Sequence, residues 1–532
     1  MRVTDPKIKI LLIQPITLFS SAFDFKNTIV THLLEIATNV KLRFNGNSRV
    51  SVEVINLIDE DIFKPDSIGQ YDKHIKSLEQ FLIKYNDGSD LIFGISCFSS
   101  NYYISSLVLA KVIRKLFPTS LICAGGYQVN YFTNEFLFPR TIENRKCNEK
   151  LFDFVFLGES DYTFAEFIED RLRKGKTQSQ FHEPCEIIQS GLINNLESLP
   201  HIDYSLMKTP KSPFIFIPIY FSKGCPFNCT FCGDFRNIYK SKERWRVISP
   251  KGAFSRLKGL MKYYEDATSQ VQIFDPLWAY PDWRIDFYNL LQKDEISQEL
   301  WAEIRIDQFS SKEMKHLKNL NFTLAFGMES ASHNMLRIMK KTFDPQKYLS
   351  RFSSILTELD AAGIYVICNI LFGHPGETDL SMKKTMEYVE KCSQTAENFI
   401  PSLSKYMLIP GSDVFKNHKY YTETYHSKFH YRHYWTIPKC SAVSSSMVDP
   451  SDNLSYLDVV KAISQWAPEF YSTCIRKFKN KKNRHFIYQR YLNEMVLGPR
   501  LYLKNKILQD YNDFGEEKDV MIETEHFWNT IF

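Results

Sequence analysis

Short apolar runs alternate with amphipathic stretches along the first 174 residues of the chain. The runs that predict buried strands are Lys9–Gln14, Val52–Ile58, Leu91–Ser96, Leu121–Ala124 and Phe154–Leu157. Between the third and fourth runs, apolar residues from Ile104 to Leu116 recur every four positions, as on one face of a helix. Strands that alternate with helices favour a parallel sheet covered on both faces. We therefore predict a doubly wound, Rossmann-like α/β domain over residues 1–180.

A second series of strand and helix patterns follows a polar, proline-containing linker at residues 181–213. Its predicted strands are Phe214–Phe221, Val271–Asp275, Leu300–Ile306, Phe322–Gly327, Tyr365–Phe372 and about Ser402–Ile409. Helical patterns fill the gaps, for example Gln346–Ala362 and Leu380–Cys392. Six βα repeats predict a partial barrel over residues 214–415, whose reactive face lies at the C-terminal ends of its strands. We expect a mainly helical C-terminal region over residues 416–532.

Composition places the chain among globular proteins and says little about chemistry. Hydrophobic residues make up 44% and charged residues 24%, which excludes wholesale disorder. A net charge of +5 is too small to indicate that the whole chain binds nucleic acid by its charge. Only three of the 11 cysteines cluster, and no secretory leader or long apolar segment is visible. We expect a reducing, cytoplasmic setting and no membrane partner.

Cys225, Cys229 and Cys232 follow the first predicted barrel strand with the spacing C-x3-C-x2-C. Three thiolates on one loop can hold a cube-shaped [4Fe–4S] cluster, which normally has four cysteine ligands. Three ligands leave one iron open to a small molecule, as in the open position of a catalytic metal site. The alternative is a zinc site closed by His182 or His201, although such sites usually pair two C-x2-C knuckles. We favour the cluster.

This motif, with the aromatic Phe231 inside it, resembles that of the radical S-adenosylmethionine (SAM) superfamily. In that family the open iron chelates SAM, and reductive cleavage gives a 5'-deoxyadenosyl radical that abstracts hydrogen. The strings PGET at 375–378 and IPGS at 409–412 resemble the subgroup with a cobalamin-binding domain ahead of the barrel, the class B-type radical SAM methyltransferases. The resemblance covers about residues 8–415.

The resemblance places candidate SAM-binding residues at the ends of successive barrel strands. The carboxylate of SAM needs a cation or a hydroxyl donor, for which Arg305 and Ser330 serve. Its amino group and ribose hydroxyls need acceptors, for which Asp275 and Glu329 are candidates, and Gly373 would let adenine pack against the backbone. Taken alone, Arg305 is also typical of a surface ion pair, and Glu329 of an exposed acid at a helix N-terminus.

The resemblance also implies cobalamin in the first domain. The residues that would touch the corrin or its nucleotide tail are Ser96, Gly125, Gly126, Gly158 and Glu159. The string Asp-x-His-x-x-Gly, which supplies a cobalt-ligating histidine in the wider cobalamin-binding pattern, is missing after the first strand, where residues 14–18 read QPITL. Cobalt would then have no histidine lower ligand. The alternative is a domain that packs on the barrel and holds no cofactor.

The implied function is cobalamin-dependent methyl transfer to an unactivated carbon of a natural-product or peptide substrate, through methylcobalamin and a 5'-deoxyadenosyl radical. An external flavodoxin- or ferredoxin-like donor would supply electrons. Alternatives are a cobalamin-dependent cyclase or rearrangement enzyme, a methylthiotransferase, or a non-catalytic sensor of cobalamin or SAM. A methylthiotransferase should carry a second cluster, whereas Cys97, Cys123 and Cys147 lie on different predicted elements.

Two features of the C-terminal region lie outside the resemblance. The basic segment Arg476–Arg490 suits an acidic ligand, but a solvated helix face is the commoner explanation, and we expect no nucleic-acid partner. His426, His430 and His433 invite a metal hypothesis, which the lack of a suitably spaced acid disfavours.

Overall fold

The computed structural model describes residues 7–16, 29–65, 70–139, 150–180, 183–207, 217–233, 244–264, 271–430 and 447–466, apart from 460 and 464. Short 3-10 turns join the larger elements at Leu57–Asp59, Ile83–Tyr85, Ser100–Tyr102, Leu196–Ser198, Tyr204–Leu206, Ile306–Gln308 and Ser311–Glu313.

Six parallel strands form the first sheet. They are β1 (Ile8–Gln14), β2 (Val50–Asn56), β3 (Asp90–Ser96), β4 (Leu121–Gly125), β5 (Phe154–Leu157) and β6 (Glu186–Gln189). The helices around it are α1 (Thr31–Arg43), α2 (Tyr71–Leu82), α3 (Tyr103–Leu116), α4 (Tyr127–Tyr131), α5 (Thr133–Leu137) and α6 (Thr163–Arg173). The strand order β2-β1-β3-β4-β5-β6 reverses direction between β1 and β3, and confirms the doubly wound fold.

The apolar run of β1 explains why this sheet is covered on both faces. Ile10 and Leu12 pack into the core that contains α1 and α6, whereas Leu11 and Ile13 pack into the core that contains α2 and α3. A strand buried on both faces needs a continuous apolar run, as here. The expected linker at 181–213 contributes β6, which is the edge strand of this sheet and has largely exposed residues.

The second sheet contains six parallel strands in chain order. After β7 (Ile217–Ile219) comes a two-stranded ribbon of β8 (Ser222–Lys223) and β9 (Arg246–Val247), followed by β10 (Val271–Ile273), β11 (Leu300–Ile304), β12 (Phe322–Glu329), β13 (Tyr365–Phe372) and β14 (Phe399–Lys405). The helices are α7 (Pro250–Tyr263), α8 (Pro281–Lys293), α9 (Met314–Leu317), α10 (His333–Ile338), α11 (Pro345–Ala361) and α12 (Asp379–Thr395). No pairing joins β14 to β7 among the described residues, so the barrel is partial, as predicted.

The last barrel strand begins about three residues earlier than the sequence pattern predicts. The apolar run continues past the hydrogen-bonded strand, because Tyr406 is buried against the ring of His374 at 5.1 Å. The buried residue after β14 therefore continues the apolar pattern, and this is why the sequence predicts a strand that extends too far toward the C-terminus.

The first part of the C-terminal region covers the end of the barrel. It contains α13 (Asp413–Lys416), α14 (His418–Tyr425) and a ribbon of β15 (Lys428–Phe429) with β16 (Val448–Asp449). Trp466 then packs on Phe372 at the end of β13, with ring centroids 5.6 Å apart. The basic segment at 476–490 and His433 lie outside the described residues. Among the described helices, none has the length and apolar character needed to cross a membrane.

Candidate functional site

The cysteine loop begins at the ribbon β8–β9 and lies at the C-terminal edge of the barrel. Gly224 has a φ of +77°, and a Cβ there would clash with the carbonyl oxygen of Arg244, so only glycine fits this entry to the loop. Thr230, in the middle of the motif, is fully buried. Its backbone N–H donates to the carbonyl of Met339 at 3.0 Å, and its hydroxyl lies 2.9 Å from Nε2 of His374. The loop is thus fixed to the C-terminal end of α10 and to the residues that follow β13.

A buried guanidinium lies against this loop. Nη1 of Arg305 is 3.4 Å from Sγ of Cys229, and the guanidinium stacks on Phe227 at 3.7 Å. Asp307 fixes Arg305 through two hydrogen bonds of 3.0 and 2.8 Å, and the carbonyl of Lys341 accepts a third at 2.6 Å. A positive charge held beside the sulfur suits a thiolate that ligates a metal.

The three cysteines of the loop are free thiols, and neither histidine proposed to complete a zinc site is shown beside them. Within the described part of the chain, no cysteine forms a disulfide, and no three His, Cys, Asp or Glu side chains form a preformed metal-binding group. The proposed zinc ligand His201 packs beside Gly259, near the C-terminal end of α7. Since barrel helices run antiparallel to the strands, this position lies away from the cysteine loop. His182 lies outside the described residues.

A buried ion pair ends the fourth barrel strand, β12. Glu329 has a φ of +68° at a β-bulge, and Nζ of Lys341 donates to its Oε1 at 2.9 Å. A Cβ on Gly327 would lie 2.5 Å from that oxygen and 2.8 Å from Nζ, so glycine makes room for the pair. The hydroxyl of Ser330, in contrast, lies 3.0 Å from that of Thr385 and accepts a backbone hydrogen bond of its own segment. Arg305, Glu329 and Lys341 are brought together, and Ser330 faces protein partners.

Asp275 joins the second barrel strand to the start of the cysteine loop. Its Oδ1 accepts backbone hydrogen bonds from Phe221 at 2.8 Å and Ser222 at 3.0 Å. Its Oδ2 is buried and has no hydrogen-bond partner among the described residues. Burial raises the pKa of Asp275 to about 7, although the two backbone donors oppose that rise.

Gly373, the last of the SAM candidates, contacts the C-terminal region. It has a φ of +87°, and a Cβ there would lie 3.2 Å from Cγ1 of Val459. Its N–H donates to Glu377 at 3.1 Å, and burial raises the pKa of that glutamate to about 7. The structure therefore places Gly373 at the barrel edge beneath the C-terminal segment.

A large cavity lies between the first domain and the barrel. It holds about 1440 Å³ of empty space, part of it open to solvent. Its lining includes every candidate cobalamin residue, namely Ser96, Gly125, Gly126, Gly158 and Glu159. The opposite wall comes from the barrel, including Lys223 and Gly224 directly before Cys225. A Cβ on Gly126 would lie 2.5 Å from the carbonyl oxygen of Cys97, so this turn requires glycine.

Two ion clusters connect the cavity to the ribbon that carries the cysteine loop. Both carboxylate oxygens of Glu159 accept hydrogen bonds from Arg246, at 2.7 and 2.6 Å. Nζ of Lys223 lies 3.1 Å from both oxygens of Asp161 and 3.5 Å from Glu35. Burial raises the pKa of Glu35, although the charge of Lys223 opposes the rise. Glu159 therefore lines the cavity and also forms the ion pair with Arg246 that joins the first domain to the ribbon.

Sequence reasoning missed Lys223, Arg246 and Lys341 as site residues. Lys340 and Lys341 are adjacent, and only the fold shows that Lys341 is buried while half of the Lys340 side chain is exposed. Lys223 directly precedes Gly224 and the motif, which is the one local signal that could have identified it.

Known proteins support the architecture seen here. No family model matches the chain. By sequence it is 26% identical over 313 residues to an uncharacterized methyltransferase from Pyrococcus horikoshii, covering 56% of this chain and 64% of that protein. It is 24% identical over 213 residues to bacteriochlorophyllide d C-8(2)-methyltransferase from Chlorobaculum tepidum, covering 38% and 44%. The chain thus spans less than two thirds of the length of these relatives.

Solved structures match this chain at the level of the fold, and two of them are the enzymes OxsB and TsrM. The cobalamin-dependent SAM radical enzyme OxsB, with aqua-cobalamin bound, superposes with a TM-score of 0.60 at 13% identity, over 99% of this chain and 79% of that one. The radical SAM methyltransferase TsrM from Kitasatospora setae, with tryptophan and a SAM analogue bound, gives 0.53 at 13% identity, over 76% and 74%. This chain has the fold of the cobalamin-dependent radical SAM enzymes. The likeness to OxsB extends over almost the whole chain, so the resemblance stated from the motifs is confirmed for the architecture.

Proposed function

We propose that this chain is a cobalamin-dependent radical SAM enzyme that transfers a methyl group to an unactivated carbon of a natural-product or peptide substrate. The observation that carries the proposal is the cavity between the domains. One wall holds all five candidate cobalamin residues, and the other leads directly into the cysteine loop. When bound, cobalamin supplies methyl transfer, and a [4Fe–4S] cluster with SAM supplies a 5'-deoxyadenosyl radical.

The residues around the cysteine loop have the chemistry to bind and orient SAM. Arg305 and Lys341 place two buried cations beside the loop, which suits a carboxylate. Glu329 is an acceptor for an ammonium or hydroxyl group. Because Asp307 and Glu329 already fix these side chains, little reorganisation is needed when SAM binds.

The remaining part of the proposal concerns methyl transfer and the electron source. Methyl transfer is supported by the names of the methyltransferase relatives from Pyrococcus horikoshii and Chlorobaculum tepidum. A methylthiotransferase receives less support, because Cys97 follows β3 and Cys123 lies on β4, both buried, and Cys147 lies outside the described residues. For the electron source we propose a flavodoxin- or ferredoxin-like protein.

The test is anaerobic reconstitution of the full chain with iron, sulfide and cobalamin, followed by SAM and dithionite. We expect cobalamin to remain bound after gel filtration, and both 5'-deoxyadenosine and S-adenosylhomocysteine to form. 5'-Deoxyadenosine without S-adenosylhomocysteine would contradict methyl transfer and leave the radical SAM assignment intact. Purified protein that holds zinc and no iron would contradict both.

The three cysteines are tested by the combined substitution Cys225→Ala, Cys229→Ala and Cys232→Ala. We expect loss of iron and of 5'-deoxyadenosine, with cobalamin uptake retained. Cys368→Ala is the matched control, since Cys368 is a buried cysteine of β13 outside the loop. Formation of 5'-deoxyadenosine by the triple variant would show that the cluster is held elsewhere.

A further inference from the structure

The inside of the partial barrel is accessible near the C-terminal ends of its strands. Phe326 of β12 packs on Phe352 of α11, with ring centroids 6.0 Å apart, so Phe326 faces the surrounding helices and Gly327 faces the inside. Strand pairing then gives the inward positions on the neighbouring strands. On β11, β12 and β13 every outward residue is buried. Several inward residues near the strand ends are accessible and define the lumen of the barrel, namely Phe274, Glu303, Gly327, Asn369, Leu371, Ser402 and Ser404.

Glu303 places a carboxylate in this lumen. It is an exposed residue of β11, whose other four residues are buried. Its Oε1 lies 3.5 Å from Nδ2 of Asn369 on β13, which is at the limit of a hydrogen bond. The neighbouring cation Lys341 is paired with Glu329. Among the described residues, Glu303 therefore has no cationic partner of its own.

The negative charge of Glu303 is unfavourable without a partner. The accessible surface of this side chain faces the inside of the barrel rather than bulk solvent. Burial raises the pKa of Glu303 to about 7, and the charge of Glu329 adds to this rise, although Lys341 opposes it. A cation bound in the lumen would stabilise the ionised carboxylate. The position therefore favours a positively charged ligand.

Aromatic side chains adjoin Glu303 in the lumen. Phe274 follows the last residue of β10, and the pairing of β10 with β11 places it beside Glu303. The ring centroid of Phe274 lies 5.8 Å from that of Trp301 and 6.4 Å from that of Tyr220. Aromatic faces attract cations and also pack against flat apolar groups. Carboxylate and aromatic rings together suit an ammonium group attached to an apolar body.

Glu303 is close to the sites proposed for both cofactors. Arg305, which contacts Sγ of Cys229 at 3.4 Å, lies two residues further along the extended chain. Glu303 is thus roughly 7 Å deeper in the barrel than Arg305. Tyr220 and Phe274 also line the large cavity between the domains, so the lumen opens onto that cavity. A ligand held at Glu303 would lie near the cysteine loop and near the cavity.

We propose that the lumen binds the organic substrate through a protonated amino group paired with Glu303, with a flat apolar body against Phe274 and Tyr220. Glu303 is then the residue that selects a cationic substrate. This inference rests on the proposed function for the word substrate, whereas the binding itself is tested without turnover.

The test uses 2-phenylethylamine, an aromatic ammonium ion at pH 8, and 2-phenylethanol, its neutral counterpart of similar size. Binding of each probe to the full chain is titrated at pH 8 by saturation-transfer NMR, with and without SAM. We expect the amine to bind at least about tenfold more tightly than the alcohol in both conditions, because only the amine pairs with the carboxylate. Absence of amine binding or equal affinities of the two probes would overturn the proposal. Displacement of the amine by SAM would also overturn it, because Glu303 would then serve a cationic group of SAM.

Glu303→Gln keeps the side-chain size and removes the charge. We expect the affinity for the amine to fall at least about tenfold and that for the alcohol to change less than about twofold. Glu387→Gln, at an exposed position of α12, is the matched control and should keep both affinities. If circular dichroism shows that Glu303→Gln is unfolded, Ser402→Trp replaces it, since a bulky side chain at this accessible position of β14 should abolish binding of both probes. Wild-type affinity for the amine in the folded variant would refute the assignment.

The outcomes separate this inference from the proposed function. Failure of the proposed function appears as no 5'-deoxyadenosine and no cobalamin uptake by the wild-type chain, whatever the probe does. Failure of the amine site appears in the probe titrations alone.

Discussion

The two domains meet at a shared cavity, and the candidate binding residues on the two sides of it differ in chemistry: those of the first domain line the cavity itself, whereas those of the barrel lie around the adjoining cysteine loop. On the barrel side, charged side chains are buried and paired: Arg305 with Asp307, and Lys341 with Glu329. On the side of the first domain, glycine backbone and apolar strands line most of the cavity, and Gly126 turns with a φ of +113°.

This difference matches the ligands proposed for the two sides. A small zwitterion such as SAM gains from charges that are fixed in advance, because the surrounding protein need not reorganise. A large ring system with amide substituents gains from close backbone approach and apolar area. We therefore expect SAM binding to be lost when a charged side chain of the barrel is replaced. We expect cobalamin uptake to fall when a side chain is added to a glycine of the first domain.

The largest effect is expected for Lys341→Met. It leaves Glu329 buried without its cation, and removing one partner of a buried ion pair costs about 3–5 kcal/mol. Urea unfolding measures this loss, and equilibrium dialysis with SAM should show no binding while cobalamin is retained. Lys340→Met is the control: its side chain is 51% exposed, so we expect a change within about 0.5 kcal/mol. Equal losses of stability and of SAM binding in Lys341→Met and Lys340→Met would show that the buried ion pair has no special role on the barrel side.

A medium effect is expected for Gly126→Ala on the other side. The added Cβ would lie 2.5 Å from the carbonyl oxygen of Cys97 in a left-handed conformation, which costs about 1–3 kcal/mol. Cobalamin uptake, measured by absorbance after gel filtration, should fall while SAM binding persists. Gly191→Ala serves as the control, because nothing lies within 4 Å of its added Cβ. Loss of SAM binding in Gly126→Ala would show that the two sides are not independent.

The smallest effect, taken per pH unit, is expected from the titration of Asp275 on the barrel side. Burial raises the pKa of Asp275 from 3.8 to about 7, so the folded chain keeps a proton that the unfolded chain loses. This contribution to stability is complete below about pH 4 and is lost as the pH rises to about 7, with a slope of at most about 1.4 kcal/mol per pH unit. Asp275→Asn should reduce the slope measured by urea unfolding at pH 5, 6 and 7 by this contribution, whereas Asp286→Asn, at an exposed position of α8, should leave it unchanged. Parallel curves for wild type and Asp275→Asn would contradict the assignment.

Much of the fold could be predicted from the sequence, because long apolar runs and residue spacing are local signals. The apolar runs predict β1, β3 and β13 almost to the residue, and the cysteine loop lies at the predicted edge of the barrel. Strand ends in a parallel sheet meet at one edge, so the order of the strands along the chain is enough to group Arg305 with Glu329.

The remaining parts of the site depend on contacts between distant positions. Arg246 meets Glu159 from 87 residues away, and Lys223 meets Asp161 from 62 residues away. Neither pair has a periodicity or spacing that could identify it.

The ribbon β8–β9 has a consequence for engineering this scaffold. It belongs to the barrel by chain order, yet Lys223 and Arg246 anchor it to the first domain. Cutting the protein at the linker would therefore remove the contacts of the first domain that support the cysteine loop. A chimera that exchanges the first domain for that of another enzyme should therefore exchange the ribbon β8–β9 as well, because the ion pairs of the ribbon are with the first domain.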